Sequence, residues 1–187
     1  MKNSPFDSQE EILFNEWCEV LESEGYIDSF VKNIEDKFEI TPKKVHCLAI
    51  NKKNKCFFAL HPLTYKYDFK IIWNIKAKNV FYNNINSSDS TKNCYFKCLE
   101  DDISYIDIKG EYTRSNRVTD VTFPLIQKVL HHFYDMYVQK VIPTEIFKVL
   151  FATDRYLNND NIYKVGNKKG TNKKELNSLT KFLYDKT

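Results

Sequence analysis

The chain has 187 residues, 42% hydrophobic and 15% aromatic, which supplies one buried core and about one domain of length. Its 28 Lys and Arg against 25 Asp and Glu give a net charge of +3, but residues 1–40 carry 3 basic and 11 acidic groups while residues 41–187 carry 25 and 14. No run of 18 apolar residues and no basic-then-apolar leader pattern is present, so the expectation is a cytoplasmic protein with no membrane span.

From the N-terminus, Leu13, Phe14, Trp17, Val20 and Leu21 recur at the spacing of one helix face, with Asp7 or Ser8 as N-cap and Gly25 as stop. On a helical projection Glu10 falls about 10° from the centre of that apolar face, while Glu16, Glu19 and Glu11 turn progressively away. Glu10 is either a buried functional carboxylate or a first-turn acid that serves the helix dipole.

Short β-rich runs follow at 45–50, 56–60 and 67–73, with Asn51 to Lys55 a polar turn between the first two. Residues 83–93 read as a polar loop or insertion without a core pattern. Residues 94–98 and 103–109 are two more strand candidates, the second ended by Gly110. Phe123 to Lys140 reads as one long helix with Pro124 in its first turn and Leu125, Val129, His132 or Phe133, and Met136 on one side; Pro143 breaks it. Residues 144–151 form a short helix or strand. A basic segment from about 158 then leads to a last amphipathic helix around Leu176 to Leu183. The sum is a single α/β domain over 1–187, with helices packed on a sheet.

Several chemistries lack their signatures. Five cysteines at irregular spacing suit reduced, packed thiols, and Cys94 and Cys98 find no partner pair for a zinc ribbon. Four glycines, at 25, 110, 166 and 170, cannot build a phosphate loop, and GxSxG and HExxH are missing. His131 and His132 do not share one helix face and read as a core or surface pair, and Trp73 reads as core.

The informative constellation lies on the strands. Asp107 and Lys109, two apart, emerge on one face while Ile106 and Ile108 take the buried one. If the strand that follows Asp68 pairs beside them, two carboxylates and an ammonium converge on a site suited to a hard cation such as Mg²⁺. A metal-bound water beside an ammonium is a means of attacking a phosphate ester.

These residues resemble the PD-(D/E)xK nuclease superfamily: an acidic N-terminal helix with Glu10, Asp68 ahead of an apolar run, and Asp107-Ile108-Lys109-Gly110 after another. The likeness spans roughly residues 8–130 and is closest to small phage-type or transposon-end endonucleases and junction resolvases. Tyr67 stands where the family often has Pro, and a second acid-x-Lys, Glu35-Asp36-Lys37, lacks a strand-like flank. The resemblance implies a restriction-endonuclease-like three-layer α/β/α core with a mixed central sheet. It also implies a Mg²⁺-dependent DNA endonuclease, with Mn²⁺ able to substitute. Asp68 and Asp107 would hold the metal with the Ile108 carbonyl, Lys109 would orient the water, and Glu10 would assist through a second metal or water. Gln127 and Lys128, which also read as a solvated helix face, would contact the DNA backbone with Arg114 and Arg117. DNA is the implied partner, and paired cuts would call for a homodimer or a protein partner. The alternative function is a non-catalytic DNA-binding or assembly subunit on the same fold.

Overall fold

The computed structural model describes residues 6–33, 35–42, 44–50, 53–85, 94–110, 117–158 and 176–185, with 44–60 and 117–120 described by their backbone alone. Helix α1 runs Gln9–Ser23. Ser8 caps it by accepting from the Glu11 N–H at 3.1 Å, and Gly25, at φ +71°, turns the chain out of it. Leu13, Phe14, Trp17, Cys18 and Leu21 form its buried stripe, as their spacing requires.

Four strands make the central sheet: β1 (Ile27–Lys32), β6 (Phe69–Trp73), β9 (Ile103–Ile108) and β10 (Val138–Val141), in the order β1-β6-β9-β10. β1 with β6 and β6 with β9 are antiparallel, and β9 with β10 is parallel, so the sheet is mixed. Between β1 and β6 lie β2 (Phe38–Thr41), β3 (Lys44–Ile50), β4 (Lys53–Leu60) and β5 (Leu63–Tyr65), in which β2 pairs with β5 and β3 with β4. Two short strands, β7 (Tyr82–Asn84) and β8 (Phe96–Cys98), pair in parallel. The remaining helices are α2 (Arg117–Tyr134), α3 (Pro143–Val149), α4 (Asp154–Asn158) and α5 (Leu179–Tyr184).

Strand alternation assigns the layers. Phe69, Ile71, Trp73, Ile106 and Ile108 face one way and join α1, Ile146 and Phe147 of α3 and Phe182 of α5 in one core. That core is dominated by rings: Trp17 stacks on Phe151 at 5.4 Å, Phe14 meets Phe69 edge-on at 5.1 Å, and Trp73 stacks on Tyr82 at 5.4 Å. The Trp73 indole N–H donates to Ser104 Oγ at 2.8 Å, which settles its place in the core. On the opposite face Tyr105 and Val138 pack with Tyr67, Phe123, Ile126 and Leu130 of α2. The protein is thus an α/β fold with helices on both faces of a mixed sheet. Among the described residues no helix is long and apolar enough to cross a membrane.

Three expectations are corrected. The long helix begins at Arg117, which puts Pro124 in its interior, and it ends at Tyr134, where Asp135 takes a left-handed φ of 49° and donates its N–H to His131 O. Residues 138–141 are then a strand: Val138 and Val141 are buried on opposite faces beside β9, and this pairing overrides the helical periodicity. The phase of α2 also differs, because Phe123, Ile126 and Leu130 turn inward while Leu125 and Phe133 are 57% and 65% exposed. Finally, Asn83 and Asn84 belong to β7 and are buried. Lys97 Nζ donates to Asn83 Oδ1 at 2.8 Å, and Asn84 Nδ2 donates to the Glu100 and Asp101 carbonyls. Residues 86–93, and 159–175 of the basic segment, lie outside the described residues.

Candidate active site

The C-terminal ends of β1, β9 and β10, the start of β6 and the first turn of α1 meet at one end of the sheet. The register pairs Phe69 with Ile106, and the Asp68 N–H donates to Ile106 O at 2.8 Å, so Asp68 lies level with the end of β9. Its Oδ2 accepts from the Ile108 N–H at 2.6 Å, a backbone bond that holds the carboxylate against the acid-x-Lys segment. Asp107 is 4% exposed, and its Oδ2 lies 2.8 Å from Lys109 Nζ. Asp68, Asp107 and Lys109 therefore converge.

Burial sets the electrostatics. It pushes Asp68 up to about 6, partly offset by the Ile108 N–H and reinforced by the negative charges of Asp107 and Glu11. Asp107 is raised for the same reason, against the opposing pull of Lys109, Tyr65 and Lys140. The buried Asp107 and the half-buried Asp68, whose proton affinity the charge of Asp107 raises, form an oxygen donor set that a hard divalent cation would relieve, so the residues fit Mg²⁺. Among the described residues no group of three His, Cys, Asp or Glu side chains is arranged to hold a metal.

Glu10 reaches the same end of the sheet. A methyl group placed on Gly110 would lie 2.9 Å from Glu10 Oε1, so the Glu10 carboxylate fills the space that the missing side chain leaves. Glu11, expected to face away, is instead 6% exposed. As the third helical residue after Ser8 it folds back to accept from the Asp7 N–H at 3.3 Å, and its Oε2 lies 2.5 Å from Lys32 Nζ. The Ser8-x-x-Glu11 spacing is the capping signal that the apolar projection overlooked.

Two further groups were not apparent from the sequence. Lys140 pairs in register with Asp107, a placement that exists only because residues 138–141 are a strand. Tyr65, the last residue of β5, turns a buried hydroxyl toward the two carboxylates; their charge and its burial hold the phenol protonated. That hydroxyl has no hydrogen bond of good geometry among the described residues, although it lies within reach of Asp107.

The expected DNA contacts divide. Gln127 is half-buried and donates from Nε2 to Val138 O at 2.6 Å, which ties α2 to β10 and departs from a solvated face. Lys128 is exposed. Arg114 lies outside the described residues, as does the side chain of Arg117, whose backbone opens α2. Comparison of the chain with protein-family models, with curated proteins and with solved structures finds no match.

Proposed function

We propose that the protein is a metal-dependent DNA endonuclease that hydrolyses phosphodiester bonds, acting as a soluble cytoplasmic enzyme. One observation carries this reading: Asp68, just ahead of β6, and Asp107 of the adjacent β9 meet at the sheet end with the Lys109 ammonium 2.8 Å from Asp107. Asp68 and Asp107 would hold Mg²⁺ together with the Ile108 carbonyl. When bound, the ion supplies Lewis acidity to the scissile phosphate and lowers the pKa of a coordinated water.

The chain's own groups do the rest. Lys109 is held in place by Asp107, where it can orient the attacking water and offset the charge that grows on the phosphate oxygens. Glu10, packed against Gly110, takes an outer position for a second ion or a water. Lys140, opposite Asp107, adds a second positive charge beside the carboxylates.

The test is a gel assay on supercoiled plasmid, linear duplex, single-stranded and four-way-junction DNA with Mg²⁺, Mn²⁺ or EDTA. Cleavage should require the metal and be abolished in Asp107→Ala and Lys109→Ala, with Lys109→Ala still binding DNA. Normal turnover by Lys109→Ala would sink the catalytic assignment, and binding of DNA without any cutting would favour a non-catalytic subunit.

A further inference from the structure

Tyr65 presents a buried hydroxyl beside the carboxylates and has no part in the hydrolysis as proposed. It ends β5, opposite Phe38 of β2, and its ring packs with Tyr67, Leu130, Met136 and Val138 in the cluster between α2 and the sheet. Val138 stands opposite Tyr105 in the parallel pairing of β9 with β10, and the next residues on that face are Asp107 and Lys140. One rung of the sheet, about 6.6 Å along the strands, separates the apolar patch that seats the ring from the carboxylate beyond it. A phenol spans such a step, with its ring in the cluster and its oxygen at the rung of Asp107.

The hydroxyl is an unused donor. Its oxygen is buried without a hydrogen-bond partner of good geometry among the described residues, whereas buried polar groups are ordinarily bonded. Its neighbours are acceptors: Asp107, within reach, and then Asp68.

The two carboxylates differ in what holds them. Asp68 accepts from the Ile108 N–H at 2.6 Å, a donor fixed by the backbone. Asp107 leans on the Lys109 ammonium at 2.8 Å, which sits at the end of a flexible four-carbon stem and also has to serve the water and the phosphate. A tyrosine whose ring is seated in a core has only its O–H left to rotate, so it supplies the rigid donor that a lysine does not. Hydrogen bonds of this kind are often misaligned in an empty site and tighten when the site fills.

We propose that Tyr65 is a positioning residue whose hydroxyl donates to Asp107 when that carboxylate turns toward a divalent cation, fixing the orientation in which Asp107 ligates it. The proposal rests on the metal site of the nuclease reading. Tyr65 itself touches neither the ion nor the DNA. Donors to a ligating carboxylate help set its hold on the metal, and the loss of one lowers affinity or activity about ten- to hundred-fold.

The experiment compares the full chain with Tyr65→Phe, which removes one oxygen and leaves the ring seated, and with Tyr67→Phe as a control, whose hydroxyl in the same cluster is influenced by Asp36 and Tyr105. Thermal unfolding is followed in EDTA and over a Mg²⁺ titration, and plasmid cleavage is measured at the same metal concentrations. In EDTA, Tyr65→Phe should melt at or above the wild-type temperature, since no formed bond is lost. The Mg²⁺ concentration that gives half of the full stabilisation should rise about ten- to hundred-fold. Cleavage should need correspondingly more metal and return to within several-fold of wild type at saturation, and Tyr67→Phe should change neither quantity. A lower melting temperature in EDTA with unaltered Mg²⁺ affinity would make the hydroxyl a packing contact and overturn the proposal, as would equal weakening in Tyr67→Phe. Wild-type affinity and cleavage in Tyr65→Phe would overturn it and leave the nuclease reading standing. Mg²⁺ binding that weakens in Tyr65→Phe, in a protein that cuts no DNA, would uphold the role of Tyr65 and overturn the nuclease reading. No Mg²⁺-dependent stabilisation of the wild type would overturn both.

Discussion

Asp68 carries a stability cost that its burial sets. Its ordinary value of 3.8 is raised to about 6 by burial. Below about pH 4 the carboxyl is neutral in both folded and unfolded chains; between pH 4 and 6 the unfolded chain gives up its proton first, so stability falls as pH rises, and above pH 6 the penalty is constant. Asp68→Asn keeps an oxygen to accept the Ile108 N–H and removes the charge. Its metal-free melting temperature should exceed wild type at pH 7–8, with the gain shrinking to nothing near pH 4. A melting temperature at or below wild type at pH 8 would show that the carboxylate is not strained. Gly110 makes the complementary case. In Gly110→Ala the new methyl would press on the tip of a flexible Glu10 side chain, so unfolding in urea should shift little while cleavage falls several-fold. Cleavage at the wild-type rate would remove Glu10 from the site.

At the scale of the element, the start of α1 does two jobs. Ser8 caps the helix, and Glu11 is drawn back over that cap and onto Lys32. Ser8→Ala should cost about 1 kcal/mol in urea denaturation. Because Glu11 adds to the negative field at Asp68, Glu11→Gln should lower the pKa of Asp68, measurable by NMR titration, whereas Glu19→Gln on the exposed side should leave it unchanged. The α1 stripe was legible because Leu13, Phe14, Trp17 and Leu21, at helical spacing, have one way to be buried together; Cys18, and not Val20, completes it. The strand β10 was not: Val138 and Val141 are three apart, which fits a helix as well as a strand buried on both faces. What decides between them is β9 alongside. The same ambiguity hid Lys140, whose place beside Asp107 follows from parallel pairing alone.

For the whole molecule, folding assembles carboxylates and their lysine partners at one sheet end and holds them there with an aromatic core. Trp17, fully buried among Phe14, Phe81, Phe96 and Phe151, ties α1 to the sheet and to the C-terminal region, and Trp17→Ala should destabilise by about 3–5 kcal/mol. The charge cluster predicts a ligand effect. Mg²⁺ at about 100 times its dissociation constant should raise unfolding stability by about 2.7 kcal/mol, read by thermal or urea unfolding, and the rise should vanish in Asp107→Ala. An equal rise in that variant would place the metal elsewhere.

Local residue chemistry alone prescribes several features here: the capped helix α1, the apolar strands flanked by turn residues, and the face shared by Asp107 and Lys109, since alternation in a strand leaves two residues two apart no other choice. Long-range pairing settled the remainder. It set β6 beside β9 so that Asp68 reaches Ile108, and turned 138–141 into a strand that carries Lys140. It also joined β2 to β5 and β3 to β4, and buried Glu11 in place of exposing it. Hydrogen-bond register and the desolvation of charge depend on which segments become neighbours in space, and periodicity along the chain carries no record of those neighbours.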